Sequence, residues 1–206
     1  MLVFDNVVFH RGAFTLRADL TIPKGAQIAL TGPSGIGKST FFDLIAGFEQ
    51  PSAGHMSWDG RDITPLPPAQ RPVAVMFQDH NLFSHLSVMK NLTLAMGQGK
   101  DAAAISRLLD QLEIGAYAHT RPTDLSGGQL ARAALARVML QQRPILALDE
   151  PFAALDARLR RDILGFVTDW AQRDNVTVLM ITHATEDAAG LKDGQLHIMD
   201  GQVSWA

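Results

Sequence analysis

Nine consecutive residues, Gly32-Pro-Ser-Gly-Ile-Gly-Lys-Ser-Thr40, fit the pattern GxxxxGK[ST], with an apolar run before them and a helical stretch after. Glycines at these places let the backbone curl until several N–H groups point at one anion. A helix beginning near Lys38 adds the positive end of its dipole. In such a cradle the Lys38 ammonium neutralises the β- and γ-phosphates of a nucleotide, and the Ser39 hydroxyl ligates Mg²⁺. Gly32, Pro33, Ser34, Gly35, Ile36, Gly37, Lys38, Ser39 and Thr40 are therefore the candidate ATP-binding residues. The motif alone leaves kinase, GTPase and transport chemistry open.

A second group supplies carboxylates. Ile145-Leu-Ala-Leu-Asp149-Glu150 ends an apolar run of strand length with two acids, and ligands of open parallel sheets bind at such strand ends. Asp149 is placed to hold Mg²⁺ through water, and Glu150 to polarise a water against the γ-phosphate. An acidic pair after a strand more often starts a helix; beside a phosphate cradle the chemical reading prevails. His183, just past the apolar run ending at Ile181, is a further candidate γ-phosphate contact, although a lone histidine there is more often a cap or core residue. Gln78, after the apolar Val73 to Phe77, depends on its company in the same way.

That company is Leu125-Ser-Gly-Gly-Gln129, at the head of the helical stretch Leu130 to Gln141. A serine and two glycines at a helix start make another anion-seeking cap. One nucleotide site needs one cradle, so the simplest use of Ser126, Gly127, Gly128 and Gln129 is at the site of another subunit.

These groups need a scaffold. Phe14 to Ile22 alternates apolar and polar residues, as a half-buried strand does; Gln27 to Thr31 and Val73 to Phe77 read as short buried strands, and Lys38 to Ala46 as a helix. Pro65-Leu-Pro-Pro-Ala-Gln-Arg-Pro72 reads as an irregular surface connection. Ile105, Leu108, Leu109 and Leu112 share one helical face, and Leu159, Ile163, Phe166, Val167 and Trp170 share another. The runs Ile145 to Leu148 and Val176 to Ile181 each follow a helical segment, so the pattern is α/β with a parallel sheet. Asp200-Gly201 suggests a closing hairpin.

Composition narrows the class. The 206 residues suit one domain; 47% are hydrophobic and 19% charged, and the net charge of −3 gives phosphate backbones nothing to hold. No nucleic-acid partner is expected. The chain has no cysteine, so thiolate metal sites and disulfides are excluded. The N-terminus lacks the basic start and apolar stretch of an export signal, and no segment approaches the ~20 apolar residues of a membrane span.

GPSGIGKST, Gln78, LSGGQ, ILALDE, Ala154-Leu155-Asp156 and His183 occur in the order and spacing of ABC-transporter nucleotide-binding domains. The resemblance covers essentially the whole chain. It implies a P-loop NTPase core with an antiparallel β subdomain and a helical subdomain at about residues 79–140 that carries LSGGQ. It also implies a head-to-tail dimer of two copies that sandwiches two ATP molecules with Mg²⁺. By that pattern Glu150 is the general base, His183 and Lys38 contact the γ-phosphate, and Ser39, Gln78 and Asp149 face the metal. Ser126 to Gln129 act in trans, and Asp156 couples the two sites.

The chain departs from the pattern at three places. Arg11 stands where an adenine-stacking aromatic is usual, so Arg11 by its guanidinium plane, or Phe9 or His10, is the expected adenine contact. Leu130 and Ala131 replace a polar pair after LSGGQ, and Ala153 stands in place of serine. Chromosome-maintenance relatives place coiled coils or metal-binding insertions between the phosphate loop and LSGGQ, which Lys38 to Leu125 lacks; translation-factor relatives carry two cassettes. LSGGQ followed by Ala154-Leu155-Asp156 argues against a small-molecule kinase, which stays a less favoured alternative.

The stretch Pro68 to Val88 resembles that of binding-protein-dependent importers, with Leu82, Phe83, Leu86 and Val88 as candidates for the groove that meets the membrane subunit. The partners implied are two membrane-spanning permease subunits and a periplasmic solute-binding protein, on the cytoplasmic face of the inner membrane. An ending at Trp205-Ala206 implies no C-terminal regulatory domain. The length, Asn81-Leu-Phe-Ser-His-Leu86 and the ending Asp-Gly-Gln-Val-Ser-Trp are similar to the thiamine-importing branch, with iron, polyamine, sulfate or molybdate importers as alternatives. No residue of this chain meets the solute.

Overall fold

A computed structural model describes residues 1–78, 82–97 and 101–206. The N-terminal third is mostly strand: β1 (Leu2–Arg11), β2 (Phe14–Ile22) and β3 (Gln27–Thr31) precede helix α1 (Lys38–Ala46), then come β4 (Ala53–Trp58), β5 (Arg61–Asp62) and β6 (Val73–Met76). Three helices follow, α2 (Val88–Ala95), α3 (Ala102–Gln111) and α4 (Gly127–Met139). The chain then alternates β7 (Ile145–Asp149), α5 (Ala157–Asp174), β8 (Thr177–Ile181) and α6 (Thr185–Gly190), and closes on β9 (Gln195–Met199) and β10 (Gln202–Trp205).

Among the described residues the strands form one sheet, in the order β5-β4-β1-β2-β10-β9-β3-β8-β7-β6. Strands β6, β7, β8, β3 and β9 run parallel, while β1 pairs antiparallel with β2 and β4. Of the parallel strands, β7 and β8 are buried along their whole length, which is why they read as apolar runs, while β9 at the join to the antiparallel strands alternates. Leu146, Leu148, Val178 and Met180 point to the core under the helices, and Ile145, Ala147, Leu179 and Ile181 to a second core around α1. Phe41 of α1 stacks on Phe4 of β1, centroids 5.0 Å apart, which locks the α1 side to the antiparallel strands. Asp200 (φ 49°) and Gly201 (φ 74°) turn β9 into β10 with two left-handed residues, as a two-residue hairpin requires.

The connection Pro65 to Pro72 is not wholly a surface segment. It holds a 3-10 turn at Pro68–Gln70, and Arg71 is fully buried. Arg71 donates to the carbonyls of Leu66 (2.9 Å) and Thr64 (2.7 Å), so its guanidinium pins the proline-rich stretch from inside. Burial lowers its pKa.

Of the expected membrane-subunit groove, Val88 is instead a core residue with 0% exposure, while Phe83 is exposed and Leu82 and Leu86 are half-buried. Buried Asn91 shapes this segment, accepting from Phe83 N–H (2.8 Å) and donating to the carbonyls of Phe83, Leu86 and Ser87. Asp79, His80 and Asn81 of that stretch, like residues 98–100, lie outside the described residues. Among the described residues no helix is long and apolar enough to cross a membrane.

Candidate functional site

The loop 32–37 leaves the C-terminal end of β3 and feeds α1, whose N-cap is Gly37 at φ 112° with no side chain capping it. An L residue is strained at that angle, and a Cβ there would lie 2.5 Å from Phe14 Cζ. Backbone N–H groups at the head of α1 thus stay directed at whatever anion enters.

Ser34, Gly35, Gly37, Lys38, Ser39 and Thr40 line a cavity of about 400 Å³, closed on its other sides by Gln78, Asp149, Glu150, Ile181 and His183. Gln78 leaves β6, Asp149 ends β7, and His183 follows β8, so three neighbouring parallel strands deliver their ends to one place. Behind Gln78, Phe77 packs edge-on against Phe48 at 5.5 Å.

Within the cavity, Ser39 Oγ donates to Asp149 Oδ2 at 3.0 Å. Lys38 Nζ donates to the carbonyls of Gly32 (2.8 Å) and Pro33 (2.9 Å) across its own loop. Pro33 and Ile36 shape the loop rather than line the cavity. Glu150 sits at φ 48°, unusual for a residue with a side chain, and its Oε1 is 3.1 Å from His183 Nε2. Its N–H is held by the carbonyl of Ile181 at 3.0 Å, so the strained turn is tied to β8.

The charges are in tension. Burial lowers the Lys38 pKa, against the pull of Glu150 and Asp149. Burial raises the Asp149 pKa, the Ser39 hydrogen bond opposes this, and the Glu150 charge adds to it. A hydroxyl, a carboxylate and an amide oxygen are the hard donors a divalent cation such as Mg²⁺ takes alongside phosphate oxygens. No cluster of three His, Cys, Asp or Glu side chains suited to a metal occurs among the described residues, so the donors present fit a cation shared with a phosphate ligand.

LSGGQ lies elsewhere. Ser126 caps α4 in a reciprocal box: its Oγ accepts from Gln129 N–H at 3.4 Å, and Gln129 Oε1 accepts from Ser126 N–H at 2.9 Å. No residue of this segment lines the cavity with Lys38. Instead the two glycines lie against Ala154 and Leu155; a Cβ on Gly128 would be 3.1 Å from the Ala154 carbonyl oxygen. Asp156 follows at once as the N-cap of α5, accepting from Arg158 N–H (3.1 Å) and Leu159 N–H (3.0 Å), and these backbone bonds lower its pKa.

Of the expected adenine contacts, Phe9 is corrected. It is 4% exposed, packs edge-on against Phe14 and is covered by the Arg11 guanidinium at 5.4 Å, so it has no open face for a base. Arg11 is exposed but ion-paired with Glu49, and His10 Nδ1 is engaged with Thr15 Oγ1 at 2.9 Å.

Sequence reasoning missed three supports. Phe14 packs on Gly37; its apolar alternation signalled a strand but not this contact. Arg132, buried, ties α4 to the carbonyls of Leu112 (2.9 Å) and Glu113 (3.0 Å). Around His183, Thr182 Oγ1 accepts from Ala184 N–H (3.1 Å) and donates to buried Asp187 (2.9 Å), whose other oxygen is 3.9 Å from Arg160 Nε. No local signal marks Asp187 among the acids of a short helix.

Comparison with known proteins follows this geometry. Residues 16–153 match the family model described as ABC transporter. The chain is 44% identical over 208 residues to the thiamine import ATP-binding protein of Cereibacter sphaeroides, covering 98% of this chain and 90% of that protein. It is 40% identical over 210 residues to the protein of the same name from Escherichia coli, covering 100% and 90%. Among solved structures, the dimeric post-hydrolysis state of an ATP-binding cassette bound to ADP and Pi superimposes with a TM-score of 0.88 at 26% identity, covering 99% of this chain and 97% of that one. The chain belongs to the ABC transporter family.

Proposed function

We propose that this protein is the ATP-hydrolysing subunit of a thiamine importer, working as a homodimer beneath two membrane-spanning permease subunits that a solute-binding protein loads. The solute rests on one observation, identity of 40–44% over nearly the whole chain to thiamine import ATP-binding proteins. The chemistry rests on the cavity that gathers the phosphate loop, Asp149, Glu150 and His183.

ATP phosphates occupy the loop 32–40, with Lys38 Nζ transferred from the Gly32 and Pro33 carbonyls to the phosphate oxygens. Ser39 and Asp149, with Gln78 beside them, would hold Mg²⁺, which neutralises charge on the β- and γ-phosphates when bound. The Glu150 carboxylate accepts the proton of the attacking water as general base, and His183, already within hydrogen-bond distance of Glu150, orients the γ-phosphate end. The adenine ring lies toward β1, against Arg11. Ser126 to Gln129 serve the partner's nucleotide, and Asp156, adjacent to that segment, links the two sites. Phe83, Leu82 and Leu86 face a permease helix at the inner side of the membrane.

Deleting the gene in its host and measuring uptake of labelled thiamine, iron and polyamines side by side tests the solute. Loss of thiamine uptake alone is the expected result. Intact thiamine uptake with loss of another solute would refute the assignment and leave the ATPase chemistry standing.

A further inference from the structure

A second cavity is larger than the phosphate site. It has about 660 Å³ and lies at the opposite end of the parallel strands, between α3, the C-terminal end of α4 and α5. That volume is in the range of small-molecule sites. Its wall is part aromatic and aliphatic: Phe166 and Trp170 of α5 project from the core cluster, with Leu108, Met139 and Leu140 beside them.

Its charge is unlike that of the rest of the chain. Lys24, Arg107, Arg143 and Arg173 line it against one carboxylate, Asp174, in a protein whose formal net charge is −3. Concave walls of low polarity concentrate such a field. Three of the cations have partners at the surface: Arg107 with Asp101 (3.5 Å), Lys24 with Asp59 (3.0 Å) and Arg173 with Asp174 (2.9 Å). Exposed pairs of this kind are weak and readily exchange partners. Arg143 differs. It is half-buried, and the acceptor it meets is the neutral carbonyl of Ala69, at 3.0 Å; among the described residues no carboxylate pairs with it. A guanidinium keeps a fork of further donors for a planar acid.

We propose that this cavity binds a planar aromatic anion of small-molecule size, its ring laid on Trp170 and Phe166 and its acidic group held by Arg143. Apolar walls select the ring, and the Arg143 guanidinium favours an anion over neutral or cationic ligands of the same shape. The site is remote from the nucleotide cavity, and Met139, at the far end of the helix that Ser126 opens, forms part of its wall. Its occupant is therefore an effector rather than a second substrate.

The test uses the full-length chain with saturating ATP and Mg²⁺, so that the phosphate site is filled. The probe is 8-anilinonaphthalene-1-sulfonate, an aromatic sulfonate. One saturable site is expected, with Kd on the order of 10 μM for a ligand of that size, and with quenching of tryptophan emission that Trp170→Phe removes. Arg143→Gln should weaken binding about tenfold, Arg143→Lys less, and Arg107→Gln, on an exposed helix face, about threefold. N-phenyl-1-naphthylamine, the same rings without the sulfonate, should bind about tenfold more weakly than the sulfonate. Melting temperature and ATP affinity of each variant report that it is folded. Absence of saturable binding would overturn the proposal. So would wild-type affinity in folded Arg143→Gln, or equal affinity for the uncharged rings.

Discussion

Replacing Asp187 with alanine tests whether the brace around His183 serves catalysis. Asp187 is 4% exposed; it accepts from the Thr182 hydroxyl at 2.9 Å and faces Arg160 Nε at 3.9 Å. Losing the hydrogen bond costs about 1 kcal/mol. Leaving a buried guanidinium without its acid would cost about 3–5 kcal/mol. Arg160 keeps 23% side-chain exposure and a second acceptor, the Phe152 carbonyl at 3.2 Å, so about 1–2 kcal/mol applies here. The total, about 2–3 kcal/mol, lowers the melting temperature by about 4–12 °C in a chain of this size. Thr182 then braces only the Ala184 N–H, and the backbone carrying His183 loosens. Turnover should fall about tenfold, the effect of some 1.4 kcal/mol in the barrier, while the KM for ATP stays within about twofold because the phosphate loop is untouched. Phosphate release from the folded variant below its melting transition measures this. Asp187→Asn keeps an acceptor for Thr182 and should recover most of the turnover but not all of the stability. A variant that melts lower yet turns over ATP like wild type would reduce Asp187 to a packing residue and refute the reasoning.

Three further outcomes follow from the same geometry. Asp149→Asn should raise the melting temperature of nucleotide-free protein by about 2–4 °C while abolishing Mg²⁺-dependent turnover, because burial disfavours the Asp149 carboxylate. Its folded pKa is raised, so its contribution to stability is present below about pH 4 and lost as pH rises through the folded value; the gain from Asp149→Asn should therefore vanish in acid, as melting curves at acid and neutral pH would show. Gly37→Ala should weaken ATP binding at least about tenfold, since the left-handed angle and the Phe14 ring both oppose a Cβ; Phe14→Ala in the same chain should recover part of it, and calorimetric titration decides. Glu150→Gln should bind ATP and dimerise while turnover falls about 10²–10⁴-fold; steady-state hydrolysis like wild type would remove Glu150 as the base.

Much of this site was legible in the sequence because the strands that carry it run parallel. Each candidate follows a buried strand, Ser39 through the loop after β3, Gln78 after β6, Asp149 at the end of β7 and His183 after β8, and adjacent parallel strands bring such ends together. The same logic could not find Arg71, Arg132 or Asp187. Their partners are backbone carbonyls or side chains outside any pattern of hydrophobic period, and charge in a sequence reads as surface until burial is seen. It also misled at two apolar positions. Phe9 and Val88 look like stacking and groove residues in the one-dimensional pattern, and both are packed into the cores.

The proposed use of the second anion cap, at the site of another chain, agrees with its position. Ser126 and Gln129 satisfy one another, which fixes the first turn of α4 and leaves its glycine N–H groups at the helix start. Against the same glycines lie Ala154 and Leu155, the residues that lead into Asp156 and α5. On the other side of Ala153, Glu150 opens onto the phosphate cavity with His183. One short segment, 150–156, therefore runs from the phosphate cavity to the glycines of the cap. No residue of the cap lines the phosphate cavity of its own chain. In the proposed head-to-tail dimer each cap would lie over the other's phosphate loop, and segment 150–156 of each chain would lie between its own Glu150 carboxylate and the partner's nucleotide. Closure at one site would then be felt at the other, the coupling the proposed importer needs if two nucleotides are to act as one event.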